Sequence, residues 1–241
     1  QLQGYIEQAL TSSPDIRTAA LKVQEAQAPL LAAKLAFIPA LTLSPQGTVT
    51  SWDKGKATQT YSLPVTASWQ IDLFGQLLNP KRMAKATLEQ TKAYEQNTRV
   101  QLIANTANLY YTLLMLDRQL EITEGTAEIM KKNTETMQAM KDAGIYGTTE
   151  AAVEQSRAAY AQILASLPDI RANIREIENS LCLLLGEPAH SIERGILEDQ
   201  QLPTEFSAGI PLQLLSNRPD VKAAEQALAV AYYNTNTARA N

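Results

Sequence analysis

The stretch Gly144-Ile145-Tyr146-Gly147-Thr148-Thr149-Glu150 stands between two long helical patterns that mirror each other about it. After it, Val153, Ser156, Tyr160, Ile163, Leu167, Ile170, Ile174, Ile177, Leu181 and Leu184 recur at spacings of three and four, and only Ser156 is not apolar. A repeat of this kind, sustained over more than four heptads, is the seam of a coiled coil. Before it, Leu102, Thr106, Leu109, Leu113, Leu116, Leu120, Thr123, Ala127, Met130, Thr134 and Met137 form a second seam. A fold-back centred on position 145 sets Met137 opposite Val153, Met130 opposite Tyr160, Leu120 opposite Ile170 and Leu109 opposite Leu181. The two glycines permit the reversal, and Thr148 or Thr149 can cap the second helix. The spacing therefore predicts an antiparallel helical hairpin.

Working outward, Pro80 to about Ala143 contains no further proline and only one glycine, Gly125. At about 1.5 Å per residue this is one helix near ~95 Å long, which needs a partner along its run. Pro168 predicts a local kink in the second helix. Gly186-Glu187-Pro188 ends that helix, and residues 187–209 read as a mixed polar linker. Several seam positions near the turn are Thr, Ser or Ala. They suit either a slender hairpin needing light packing or a tip that opens and docks.

Composition narrows the function. The 241 residues carry 21 Lys+Arg against 25 Asp+Glu, a net charge of -4, which argues against a nucleic-acid partner because phosphate recognition needs a basic surface. One cysteine and one histidine leave no disulfide framework and no Cys/His zinc site, so neither metal nor cofactor is expected. Any histidine relay would rest on His190 alone, and an enzyme is not expected. Cys182 lies one residue off the seam and reads as a small buried side chain. No apolar run reaches the 18 residues of a membrane-spanning helix. Gln1 opens directly into helical sequence with no signal peptide, and the expectation is that the native start lies further upstream.

The chain also repeats. Pro14-Asp15-Ile16-Arg17 and Pro219-Asp220-Val221-Lys222 match at an offset of 205, which also aligns Ala19 with Ala224, Ala26 with Ala231 and Lys34 with Arg239. Pro-Asp marks a helix start in both copies. The second copy stops at Asn241, the partner of Ala36, so about half of a two-repeat protein is expected here.

Between the first copy and the hairpin, Tyr61, Leu63, Val65, Ala67, Trp69, Ile71 and Leu73 alternate with residues that include no large apolar side chain. Strict alternation makes a two-faced strand. Leu41, Leu43 and Val49 form a weaker partner, joined through the polar turn Asp53-Lys54-Gly55-Lys56-Ala57. Two placements satisfy the pattern: a hairpin with one face on a soluble core, or outer-membrane barrel strands with the apolar face to lipid. Thirteen residues from Tyr61 to Leu73 span roughly 43 Å, and at a tilt of about 45° cross about 30 Å, the depth of a bilayer. Trp52 and Trp69 suit aromatic girdles. Lys81 and Arg82 read as a solvated start to the long helix.

Four stretches together resemble the TolC-like outer-membrane efflux channel family, the outer membrane factors. They are Leu2-Gln3-Gly4-Tyr5-Ile6-Glu7-Gln8-Ala9-Leu10 running into Pro14-Asp15-Ile16; Trp69-Gln70-Ile71-Asp72-Leu73-Phe74-Gly75; Gly144-Ile145-Tyr146-Gly147-Thr148; and Gly209-Ile210-Pro211-Leu212 with Arg218-Pro219-Asp220-Val221. The resemblance implies a mainly α protomer with a β-hairpin, in which long antiparallel coiled-coil helices join transmembrane β-barrel strands. It also implies a homotrimer in the outer membrane of a Gram-negative-type cell, with a long periplasmic extension, forming a passive conduit for efflux or secretion. Its partners would be a periplasmic adaptor (membrane fusion protein), an inner-membrane transporter and outer-membrane lipid, and drugs are among the cargoes such channels pass.

On that footing residues 1–36 are a first periplasmic helix, 37–76 a barrel strand pair, 77–186 the long hairpin, 187–209 an equatorial linker and 210–241 the second repeat's opening helix. By the same resemblance Gly144, Ile145, Tyr146, Gly147 and Thr148 form the adaptor-contacting tip, while Thr149 and Glu150 match positions that bond neighbouring hairpins. Trp69, Asp72, Phe74 and Gly75 would shape the barrel-to-helix joint. Relatives are often lipidated on an N-terminal cysteine, which here would precede Gln1. A periplasmic adaptor protein and a soluble coiled-coil scaffold are the competing readings.

Overall fold

The computed structural model describes residues 1–51, 56–145, 147, 149–200 and 216–240. Trp52, the turn residues Asp53 to Gly55, and Gly209-Ile210-Pro211-Leu212 fall outside the described residues. The chain divides into two units, one of Gln1–Arg17 with Thr98–Gly209 and one of Thr18–Asn97 with Ile210–Asn241. The elements in order are α1 (Leu2–Ser12), α2 (Pro14–Leu35), β1 (Ala40–Leu43), β2 (Gln46–Thr50), β3 (Thr58–Ser62), β4 (Val65–Ser68), α3 (Leu78–Asp142), α4 (Glu150–Leu185) and α5 (Pro219–Ala240).

In the first unit the predicted seams are the packed faces. None of the eleven α3 seam positions is exposed, and Leu102, Thr106, Leu113, Leu116 and Ala127 are buried. On α4, Val153, Ser156, Ile170, Ile174 and Leu181 are buried. The Thr134 and Ser156 hydroxyls meet at 2.8 Å, which is the register of a reversal at position 145. Asn133 Nδ2 donates to the same Ser156 oxygen at 3.3 Å. This polar layer sits inside the apolar seam, where shifting it would strand a buried hydroxyl, so it opposes slippage. The helix α4 is not interrupted at Pro168.

Helix α1 adds Ala9, and residue Ile192 beyond α4 closes the cluster formed with Leu113, Leu181 and Leu185. Full burial of one such leucine contributes about 1.5–3 kcal/mol, so this cluster is the main source of cohesion in the unit. Cys182 is buried, as its place beside the seam predicts, with its sulfur 3.5 Å from His190 Nδ1. The first 36 residues hold two helices, not the expected one. Ser13 is extended (φ -60, ψ 131) and separates α1 from α2, because Pro14 has no N–H with which to continue the first ladder.

The second unit carries the other end of the repeat. Helix α5 starts at Pro219 and α2 at Pro14, each is 22 residues long, and each has an aspartate in the first turn and a cation in the last. Those charges complement the helix dipole at both ends. The strands form one antiparallel hairpin in a single register, with Leu43 opposite Val65 and Gln46 opposite Ser62. Between those pairs Pro45 and Pro64 supply no N–H, and the ladder divides into β1–β4 and β2–β3. Among the described residues neither outer edge is paired.

Two expectations need correction. The soluble-core placement of the hairpin is not realised, since Leu41, Leu43, Val49, Tyr61, Leu63 and Val65 are all exposed. The strand expected from Tyr61 to Leu73 runs instead from Thr58 to Ser68 in two pieces. It ends there because Ser68 pairs with Ala40, the first residue of β1, and the residue before that is Pro39.

Candidate functional site

The hairpin tip is built by two capping motifs. Helix α3 closes with Ile145 N–H donating to the Met140 carbonyl (3.0 Å) and Gly144 N–H to that of Lys141 (2.9 Å). This Schellman pattern requires a left-handed residue, which Gly144 supplies with φ +71. Helix α4 opens on Thr149, whose extended backbone (φ -96, ψ 159) lets its hydroxyl accept from Ala152 N–H at 3.3 Å. Of the two threonines able to cap, Thr149 does so. Glu150 pairs with Lys141 across the reversal. Gly147 also has positive φ, +96.

A Cβ placed on Gly144 or Gly147 would meet nothing within 4 Å, so both glycines face open space. Ile145 is 51% exposed, an apolar side chain presented at the end of the hairpin. Tyr146 and Thr148 lie outside the described residues. The tip thus offers a small, accessible, partly apolar surface with an internal ion pair beside it.

In the second unit, the joint residues tie the strand end to the start of α3. Trp69 Nε1–H donates to the Phe37 carbonyl at 3.2 Å, while its ring stays 64% exposed. One Asp72 carboxylate oxygen accepts from Leu78 N–H at 2.7 Å and so caps the long helix. Gly75 has φ +84, and a Cβ there would come within 2.9 Å of Asn79 Nδ2. Phe74 is 81% exposed. Lys81 departs from the solvated role expected of it: its ammonium lies 5.1 Å from the Phe37 ring centroid, a cation–π contact, whereas Arg82 is exposed.

Sequence reading missed a third constellation, in the first unit. Arg194, on the segment after α4, binds the Asp117 carboxylate of α3 through both Nε and Nη2, the latter at 2.8 Å. Its Nη1 donates to Glu178 of α4 and to the Ile192 carbonyl. Ser191 Oγ donates to the same Glu178 at 3.3 Å. The two carboxylates hold the guanidinium pKa well above its ordinary value, with the Asp117 hydrogen bonds the larger cause. Alongside, Tyr5 O–H donates to the Glu193 carbonyl (2.8 Å), and the Tyr110 hydroxyl accepts from Gly195 N–H (3.3 Å). These bonds fasten the chain after α4 to α1 and α3. Among the described residues no group of His, Cys, Asp and Glu is placed to hold a metal ion.

A pair of unmatched strand edges, a long antiparallel hairpin and a repeated Pro-Asp helix define the class. Residues 5–187 match the outer membrane efflux protein family model, and the chain belongs to that family of channel and transport proteins. The cation efflux system protein CusC of Escherichia coli O6:H1 is 29% identical over the whole chain, which covers 52% of that protein. Among solved structures, CusC superposes with a TM-score of 0.84 at 27% identity over 100% of this chain and 56% of its own. The outer-membrane channel OprN gives 0.86 at 24% identity, over 99% of this chain and 55% of its own, a likeness of fold. The chain spans about half the length of the curated relatives it matches. CusC and OprN, the two solved structures compared, are both described as channels, one transmembrane and one outer-membrane.

Proposed function

We infer that the chain forms part of an outer-membrane channel through which a tripartite efflux or secretion system exports its cargo. In that assembly three copies of the full-length protein close a β-barrel from their strand pairs and a duct from their hairpins. The energy comes from an inner-membrane transporter, and the hairpin tip meets a periplasmic adaptor. Gly144 and Gly147 leave room for close approach, Ile145 supplies apolar contact, and Thr149 and Glu150 exchange their partners within the hairpin for ones on a neighbouring hairpin when the duct closes.

The observation that carries this reading is the strand hairpin. Its apolar row from Leu41 to Trp69 is exposed along its length, with no protein layer over it among the described residues. An apolar strand face of this kind is stable where hydrocarbon replaces water. The test is extraction of the full-length protein from cells. It should sediment with outer membrane, resist high salt and enter solution only with detergent. A full-length protein that stays in the supernatant without detergent would refute the reading.

A further inference from the structure

Below the last strand residue, the ends of four elements in the second unit converge. The Phe37 carbonyl, two residues beyond α2, takes the Trp69 indole hydrogen bond, and Lys81 of α3 covers the Phe37 ring. Phe74, Asn79, Asn236, Arg239 and Ala240 line a common cavity of about 530 Å³, which brings the end of α5 to the same place. Ile71, Leu73 and Phe74 are exposed, and Phe74 is one of the residues lining the cavity.

Charge is one-sided in this zone. Residues 30–38, 69–88 and 232–240 contain Lys34, Lys81, Arg82, Lys85 and Arg239 against one acid, Asp72. One Asp72 oxygen caps α3 and the other is buried without a hydrogen-bond partner, so its single negative charge stands against the five cations. Arg82, Lys85, Lys34 and Arg239 are exposed, and none of the four has an ion-pair partner among the described residues. The chain as a whole has a net charge of -4, so this local excess of cations is a departure from the surrounding composition.

A band of exposed aliphatic and aromatic side chains beside unpaired cations has the chemistry of a membrane–water boundary. Rings and aliphatics enter the acyl region while ammonium and guanidinium groups reach phosphates. The geometry points to a binding site for an anionic phospholipid of the periplasmic leaflet, with its phosphate between Arg239 and the Asn79 and Asn236 amides and its chains against Phe74 and Leu73. Arg82 and Lys85 add long-range attraction. This rests on the outer-membrane reading above.

The test uses the full-length protein with every tryptophan except Trp69 replaced by phenylalanine, reconstituted in phosphatidylcholine vesicles. Brominated phosphatidylglycerol or brominated phosphatidylcholine is added at equal mole fraction, and quenching of Trp69 is recorded. Quenching should be at least ~2-fold stronger with the anionic lipid. In the R82Q/K85Q/R239Q variant, which spares the Lys81–Phe37 contact, the two lipids should quench alike. Equal quenching in the parent would overturn the headgroup site and leave the membrane reading standing. A preference that survives in the variant would overturn the assignment to these cations. No quenching by either lipid would overturn the membrane placement itself.

Discussion

Replacing Arg194 by methionine removes one cation and strands two carboxylates. The Arg194 side chain is 15% exposed and that of Glu178 11%, while Asp117 at 37% retains access to water. Breaking a fully buried pair costs about 3–5 kcal/mol. Solvent at Asp117 reduces this, leaving ~2–3 kcal/mol, most of it from Glu178. For a cooperatively melting unit of about 150–250 residues that lowers the thermal midpoint by roughly 4–12 °C. The assay is melting of the purified full-length protein in detergent, followed by helical circular dichroism.

The second substitution tests the cause. In R194M/E178L the stranded carboxylate becomes an aliphatic side chain beside Leu181 and Ile174, and at least half of the lost midpoint should return. A guanidinium whose pKa is raised by its partners contributes its full stabilisation below the unfolded-state value and loses it only as pH rises through the folded one. The parent–R194M difference should therefore hold constant as pH rises from neutral toward 10. An R194M protein that melts within about 1 °C of the parent, or a double variant no better than the single, would show that the charge argument is wrong.

Two further substitutions separate backbone strain from contact. Gly186→Ala places a Cβ 3.1 Å from the Ser12 carbonyl oxygen at φ +73, whereas Gly144→Ala at φ +71 meets open space; both pay about 1 kcal/mol for the left-handed backbone, and only G186A should cost roughly 1 kcal/mol more in melting. If the proposed channel function holds, Gly144→Val or Gly147→Val should abolish export while native gels show the parental amount of assembled oligomer, and undiminished export would remove the tip from the proposed adaptor contact.

The long hairpin was legible because its signal is periodic. A seam written at three- and four-residue spacing on both sides of Gly144 gives the partners and the register, and the Thr134–Ser156 hydroxyl pair lies where that register puts it. The Pro-Asp repeat was legible for the same reason, since a helix start is a local chemical event. The end of β4 was not. Alternation reports which way side chains point, and it continues to Leu73, but a ladder also needs a partner strand, which begins only at Ala40. The Arg194 clasp was invisible for a different reason. Asp117, Glu178 and Arg194 sit on three segments, with 77 residues between the ends of one bond, and no spacing rule links an arginine to carboxylates that far away. At the tip, the glycines and the Thr149 cap were readable, whereas the Lys141–Glu150 pairing depends on the way the reversal closes.

The divided hairpin has a geometric consequence. Among the described residues the ribbon's N–H and C=O groups point outward on both flanks, and right-handed strand twist gives any ribbon added to it an angular offset from the last. Adding copies sideways therefore never finishes in a flat row. In the channel proposed above it finishes when the last flank meets the first, so the number of ribbons is set by how far each one turns the wall.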